Sequence, residues 1–316
     1  MRVVLLGANH WHSPTYYQPA AAQGHEVILF DDEPGPAQRT AAKHGFALHA
    51  DYADLDRVRP DFAVCLGRHD RMPRYVAMCI ERRIPFLAEK PGGLSAEVVR
   101  GLARRCDEVG LFHAAAFVFR WDASSRAVKD LLDAGRAGRA ARVALSYFTG
   151  PASRYVGWGS PWALQREFAG GGSLYNVGIH LLDVLRFWGF APAVESALAS
   201  HAINRHEVDD VVTVLLRMGQ TYAVVESGYL VQNPYGGLHA VIFGEKANLE
   251  LRGETLAVTD ADGKREESTP RPREPRDVML GELLDLSRRG QPSPVTLHDL
   301  AAALALCEQA QAMADG

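Results

Sequence analysis

Over its first 120 residues the chain alternates short, almost wholly apolar runs with longer helical patterns, and this alternation limits the fold more than any other feature. RVVLL (2–6), EVILF (26–30), FAVCL (62–66), PFLAE (85–89) and FHAAAF (112–117) are near-continuously apolar, as strands buried on both faces are. TYYQPAAAQ, AQRTAAKHG, PRYVAMCIERR and AEVVRGLARRCDEVG lie between them, each long enough for a crossover helix. Repeated strand–helix–strand units imply a parallel, doubly wound sheet, so the expected class is α/β.

After Trp121 the pattern changes. A helix over SSRAVKDLLDAG leads into RVALSYFTG, DDVVTVLLRM, TYAVVESGYL, HAVIFG and ANLELRG, strand-like stretches joined by turns such as MGQ and GEK. Successive strands with tight turns predict an open, mainly antiparallel sheet in a C-terminal α+β domain. A chain of 316 residues exceeds the size at which a single core stops growing. The expected division is residues 1–120 and 121–316, with the closing helices (near 276–289 and 297–314) able to pack back on the first domain. TDADGKREESTPRPREPR (259–276), polar and rich in proline, is expected to be an exposed loop.

Charge and composition exclude several function classes. A formal net charge of −4 offers no basic field to a nucleic acid backbone. No stretch approaches the roughly 18 apolar residues needed to span a bilayer, and the short run VVLLGA does not read as a secretory signal. Cys65, Cys79, Cys106 and Cys307 are scattered without CxxC spacing, which suits reduced thiols in a cytoplasmic protein and no metal site.

LGANHWHS (6–13) follows the first strand where a dinucleotide site needs a tight turn, so that main-chain N–H groups and the helix N-terminus meet a pyrophosphate. Gly7 fits the first position of G-x-G-x-x-G, but Asn9 and His12 occupy the other two, so the match is poor. Asn9 tolerates left-handed backbone angles and preserves the turn on this reading, with the helix N-terminus still offering N–H groups. His12 either donates to the phosphates or blocks them. For His10 and His12 together, packing at the helix start is the plainer reading, against a catalytic or metal role. Asp31 and Asp32 end the second strand, where a carboxylate accepts from the adenosine ribose and disfavours a 2′-phosphate; loop solvation explains them equally well.

Two further motifs concentrate chemistry. AEKP (88–91) leaves the strand PFLAE, placing Lys90 beyond a carboxyl end, where open parallel sheets bind ligands. GGGSLYNVGIHLLD (170–183) begins with glycines and continues as a helix, so that Asn176, His180 and Asp183 share a face at i, i+4 and i+7. With WALQREFAGGGSLYNVGIHLLD, LAEKPGGLS and a sheet ending in GEKANLELRG, nearly the whole chain resembles the Gfo/Idh/MocA family, the glucose-fructose oxidoreductase or inositol dehydrogenase family. The resemblance implies an N-terminal Rossmann domain and a second domain whose open sheet makes homodimers or homotetramers. It also implies a nicotinamide cofactor, with Gly7, Asn9, His10, His12, Asp31, Arg68, Glu89 and Lys90 on the cofactor side; the carboxylates at Asp31 and Asp32 favour NAD over NADP.

In that family the lysine of EKP, here Lys90, contacts substrate and nicotinamide, and the histidine of the glycine motif, here His180, exchanges a proton. Alcohol oxidation needs a base for the hydroxyl proton and a cation for the developing alkoxide, and imidazole titrates near neutrality. The usual aspartate is Asn176 here, an amide that orients substrate but accepts no proton. Arg120, in FVFRWD, lines the site or forms an ion pair, and Asp183 is either functional or a helix-stabilising carboxylate. Arg68 and His69 stand where relatives often carry a threonine-proline-asparagine turn. Trp158, Trp162, Gln165 and Arg166 suit a sugar-like polyol, although tryptophans more often serve packing. The expected activity is NAD(P)-dependent oxidoreduction of a sugar, cyclitol or related polar metabolite. The alternatives are redox elimination from a glycoside and cofactor-free binding of a metabolite or partner.

Overall fold

Five of the six strands in the first sheet are the apolar runs themselves. The computed structural model describes residues 1–230, 237–270 and 275–315, and the chain divides into two units. The first comprises Met1–Ala116, Ser153–Gly170 and Arg276–Ala302; the second comprises Phe117–Ala152, Gly171–Pro275 and Ala303–Gly316.

In the first unit, β1 (Arg2–Leu6), β2 (Glu26–Phe30), β3 (Ala47–His49), β4 (Phe62–Cys65), β5 (Phe86–Ala88) and β6 (His113–Ala115) form a parallel sheet in the order β3-β2-β1-β4-β5-β6. Val3, Val4, Leu5 and Leu6 are fully buried, as helices on both faces require. β3, a three-residue edge strand without an apolar run, has no signature along the chain. Strand order reverses between β1 and β4, the switch point where such sheets bind ligands. There Gly7 (φ 78°) and Gly67 (φ 93°) meet back to back, and a Cβ on Gly7 would lie 2.8 Å from the Gly67 Cα. Only glycine fits that approach.

The second unit holds β7 (Ala140–Thr149), β8 (Ala193–Ser200), β9 (Val211–Met218), β10 (Thr221–Tyr229), β11 (His239–Gly244), β12 (Ala247–Arg252), β13 (Thr255–Asp260) and β14 (Arg265–Ser268), in the order β14-β13-β12-β11-β7-β10-β9-β8. Among the described residues all neighbours are antiparallel except β7 and β10, a parallel pair inside the sheet that turn-to-turn reading does not anticipate. A long connection carrying the glycine motif leads from β7 to β8, which frees β7 to enter the sheet in either direction. Burial alternates along β9, with Val212, Val214 and Leu216 inward. The outward face carries Leu198, Leu215, Tyr222 and Phe243, between 40% and 74% exposed.

The expected loop at 259–276 needs correction. β13 runs to Asp260, and after a turn at Gly263 (φ 82°) the chain returns as β14, all four residues of which are exposed. Charged side chains in and just before it pair locally, Lys264 with Glu266 and Arg265 with Glu267, the usual protection of a sheet edge. Residues 271–274 of that segment lie outside the described residues. The closing helices are Pro275–Arg288 and Leu297–Ala314. Among the described residues no helix is long and apolar enough to cross a membrane.

Candidate active site

The turn after β1 satisfies its own donors. The Gly7 and Ala8 N–H groups donate to Phe30 O (3.0 and 3.1 Å), and that of His10 to Gly7 O (3.2 Å). Ser13 N–H donates to His10 O and Thr15 N–H to His12 O (both 2.9 Å). Asn9 N–H donates to Asp31 Oδ2 (2.8 Å) and His12 N–H to His10 Nδ1 (3.1 Å). The helix begins only at Pro14, which has no N–H. The expectation that the helix N-terminus presents donors is therefore corrected: between Gly7 and Ser13, all of them described residues, only the Trp11 N–H is left for a ligand. Asn9 also departs from expectation, since it is not among the positive-φ residues. It preserves the turn through its side chain, donating to Glu33 O and accepting from Ala37 N–H (both 2.9 Å).

Asp31 is buried and accepts from the Asn9 and Glu33 N–H groups; burial raises its pKa, opposed by those two donors. Asp32 faces Arg71 and Arg74 (3.1 and 3.4 Å), while Arg68 forks onto Asp70 and lies 4.0 Å over the Phe168 ring. A nicotinamide dinucleotide would find three fitting features: the Gly7–Gly67 cradle that a Cβ would fill, the remaining lone pairs of Asp31, and the Trp11 N–H. The residues fit that group with fewer main-chain donors than a glycine fingerprint supplies.

Beyond β5, Glu89 and Lys90 are each 1% exposed. Glu89 Oε1 accepts from Tyr16 Oη (2.6 Å) and His12 Nδ1 (2.8 Å), and Oε2 accepts from Lys90 N–H (3.0 Å). Burial alone would raise the Glu89 pKa, but His12, Lys90 and His10 hold it well below the usual range. His12 is thus a partner of Glu89. Burial lowers it to about 4 against the pull of Glu89. Burial likewise lowers Lys90 to about 8, Glu89 opposing and the Arg276 and Arg154 charges adding to the fall. A cation at neutral pH that loses its proton a little above it can stabilise a developing alkoxide.

An aromatic group surrounds this lysine. The Lys90 Nζ lies 6.0 Å from the Trp11 ring centroid. Trp11 stacks on His10 (3.9 Å) and approaches Tyr155 (4.8 Å) and Trp162 (5.2 Å). Of the aromatic stretch singled out in the sequence, Trp162 joins the group, Trp158 is 48% exposed against Tyr155, and Arg166 opens the short helix Arg166–Ala169. Sequence reasoning missed Tyr16, whose hydroxyl anchors Glu89; two adjacent tyrosines in a first helical turn carry no distinguishing signal. Among the described residues no group of three or more His, Cys, Asp and Glu side chains could hold a metal ion.

In the second unit the glycine motif enters a helix through a π turn, Leu174–Gly178, that holds Asn176, while His180 and Asp183 lie on the helix Ile179–Phe187. The i, i+4, i+7 face expected of a regular α-helix is therefore interrupted between Asn176 and His180. π turns widen the coil and often mark functional positions. The glycines are explained by packing: a Cβ on Gly172 would lie 2.2 Å from Asp209 O. Asp209, a residue without a sequence signal beyond the DD pair before β9, accepts from Gly172 N–H, Ser173 Oγ and Leu174 N–H (2.7, 2.7 and 3.1 Å) and so caps the entry.

The His180 ring stands edge-on to Phe117 and Phe119, with centroids 5.9 and 5.7 Å away. Arg120 and Asp183, each open to two readings in the sequence, pair with each other: Nε to Oδ2 at 2.9 Å and Nη2 to Oδ1 at 2.6 Å, with side chains 12% and 1% exposed. Arg120→Ala leaves a buried carboxylate without its bidentate partner, and a loss of about 3–5 kcal/mol in urea unfolding is expected. A loss below about 1 kcal/mol would refute the structural assignment of the pair.

The family model of the GFO/IDH/MocA C-terminal domain matches residues 125–250. D-apiose dehydrogenase of Rhizobium rhizogenes is 26% identical over 209 residues, 64% of this chain and 58% of that protein. D-glucoside 3-dehydrogenase of Escherichia coli is 25% identical over 220 residues, 67% of this chain and 59% of that protein. The matches thus span little more than half the length of these curated relatives. An oxidoreductase from Agrobacterium radiobacter, solved with NAD+, L-tartaric acid and magnesium, superposes with a TM-score of 0.87 at 20% identity, covering 100% of this chain and 96% of that one. Levoglucosan dehydrogenase, solved with NADH and levoglucosan, gives 0.86 at 17% identity over 100% and 97% of the two chains. The C-terminal domain match, the sheet order β3-β2-β1-β4-β5-β6 and the EKP and glycine motifs all agree with the resemblance of this chain to the GFO/IDH/MocA family.

Proposed function

We propose that the protein is an NAD(P)-dependent oxidoreductase that moves hydride between a nicotinamide and a hydroxyl or ketone of a sugar, cyclitol or related polar metabolite. The observation that carries this reading is Lys90: a fully buried lysine beyond a carboxyl end of the parallel sheet, with its pKa lowered to about 8 beside an ionised Glu89. Such a site holds a positive charge where an alcohol oxygen becomes negative. The nicotinamide, when bound, supplies the hydride acceptor or donor. His180 exchanges the hydroxyl proton, Asn176 orients substrate by hydrogen bonding, and Trp162 offers a ring face to a sugar. Arg120 acts through its pair with Asp183, and Arg166 is assigned to substrate.

Gly7, Asn9, His10, His12, Asp31, Arg68 and Glu89 are assigned to the cofactor side, directly or by shaping the turn. Asp31, Asp32 and Glu33 in succession disfavour a 2′-phosphate, and we assign NAD over NADP on that ground. The outward apolar residues Leu198, Leu215, Tyr222 and Phe243 suit a homodimer or homotetramer through the open sheet. A cytoplasmic location accords with four buried cysteines.

Calorimetric titration with NAD, NADH, NADP and NADPH, followed by a screen of polyols and glycosides for nicotinamide absorbance change, tests the reading. NAD(H) binding and turnover are expected, with His180→Ala reducing the rate about 10²–10⁴-fold. Asp31→Ala is expected to weaken NAD about 10-fold or more, since it removes a charged acceptor. A second reading, a cofactor-free metabolite-binding protein, is favoured by the internal bonding of the Gly7–Ser13 turn. Failure to bind all four nucleotides would select it.

A further inference from the structure

His10 and His69 both lie in the first unit, 3% and 1% exposed, and each has one ring nitrogen engaged and the other without a partner among the described residues. His10 Nδ1 accepts from His12 N–H at 3.1 Å, so in the neutral ring the proton sits on Nε2, a buried donor. His69 Nδ1 lies 2.8 Å from Ala169 O, which can only accept, so the proton sits on Nδ1 and Nε2 is a buried lone pair. Both rings are neutral at physiological pH, since burial holds His10 well below 6.5 and His69 at about 3. Burying such groups without partners is unfavourable, so each calls for a water, an ion or a ligand group to complete it.

Trp162 is a neighbour of both rings. Its centroid is 6.0 Å from His10, 5.0 Å from His69 and 5.2 Å from Trp11. It belongs to a single 3₁₀ turn, Pro161–Leu164, a short element held by few main-chain bonds. The Lys90 charge acts on both histidines.

We propose that His10 Nε2–H and His69 Nε2 form a donor–acceptor pair that binds a hydroxyl group of the substrate, with Trp162 as its displaceable neighbour. A hydroxyl accepts from His10 and donates to His69 with the same oxygen. An anion meets the His69 lone pair and a cation meets the His10 N–H, so neutral polyols are selected over charged metabolites. Once displaced, the indole lies against the C–H face of the polyol. The pair is thus a specificity-determining element of the site proposed above, and it rests on that reading only for the reaction that follows binding. A primary carboxamide offers the same donor and acceptor, and the nicotinamide carries one, so the test separates substrate from cofactor.

The test is a ring-nitrogen correlation spectrum of the ¹⁵N-labelled full chain, titrated separately with levoglucosan, methyl β-D-glucoside and myo-inositol, and with NADH and nicotinamide. Saturable movement of both Nε2 resonances by at least one polyol is expected, together with a change in tryptophan fluorescence that Trp162→Phe abolishes. His69→Phe is expected to weaken that polyol about 10–100-fold and to leave NADH affinity unchanged, while His69→Gln, which keeps an acceptor, recovers part of the loss. Movement by NADH or nicotinamide and by no polyol would overturn the proposal in favour of a carboxamide site. Indifference of both resonances to all five probes would overturn it outright. Polyol binding in a protein that takes up no nucleotide would sustain the pair and refute the redox reading.

Discussion

On the proposed reading, Lys90→Ala is expected to lower turnover of the sugar or polyol by about 10²–10³-fold, the effect of removing one fixed charge from a developing oxyanion. The buried Glu89 keeps Tyr16 and His12 as partners in that variant, so the loss is one of chemistry. Lys90→Met, which replaces the charged end by an apolar one of similar length, is expected to retain the wild-type unfolding midpoint at pH 7, because burial already penalises the ammonium form. The pH profile carries the sharper signature. The ammonium is lost as pH rises through about 8, so wild-type turnover falls on the alkaline side of that value, well before an ordinary lysine would lose its proton. Steady-state rates from neutral to strongly alkaline pH, measured with whichever polyol the nucleotide screen identifies, decide the matter. An alanine variant with full turnover, or a wild-type rate still rising where an ordinary lysine titrates, rules out the charge assigned to Lys90.

Acid should begin to destabilise the protein from about pH 6.5 downward, before its carboxylates protonate. His12 and His69 are lowered from 6.5 to about 4 and about 3, in both cases mainly by burial. The unfolded chain therefore binds protons near pH 6.5 while the folded chain resists until far lower. Stability associated with these residues is intact above the unfolded value and is lost as the pH falls from there toward the folded ones. With about 1.4 kcal/mol for each tenfold difference in proton affinity, the two together remove about 5 kcal/mol by roughly pH 4.5, comparable with the whole stability of an ordinary domain. His10, lowered for the same reason, acts in the same direction. Glu89 does not compensate in this window, because a carboxylate with a depressed pKa loses its contribution only below its ordinary value. Urea titrations at neutral pH and at about pH 4.5 measure the difference, and His69→Gln should shrink it by about half. Equal unfolding free energies at the two pH values would mean that these imidazoles are not held neutral.

Chain periodicity carried the architecture. The apolar runs at 2–6, 26–30 and 62–66 could only be strands buried on both faces, and helices long enough to cross over left a parallel sheet as their common arrangement. Where burial is partial the signal failed: β3, β8 and β14 are half-buried or exposed elements whose residues show no clear apolar period. Lys90, His180 and Asn176 could be named because the EKP and glycine motifs are local and their neighbours in sequence are informative. Arg120 and Asp183 were each recognised, yet 63 residues separate the two halves of their ion pair, and no pattern along the chain links them.

The turn LGANHWHS shows the same division most clearly. Its letters alone require a glycine after β1 and reveal that the second and third fingerprint glycines are absent. What the substitutes do was settled only by folding: Asn9 ties the turn to the start of the helix Pro36–His44 and His12 rests on Glu89, while the neighbouring His10 keeps an unpartnered Nε2 with its ring 6.0 Å from that of Trp162. A pattern along the chain reports the period of burial, which is a local property of each strand and helix. Hydrogen-bond partners, tautomers and shifted pKa values depend on groups that are distant in sequence and adjacent only after folding. These include His12 and Glu89 across 77 residues and His69 and Ala169 across 100.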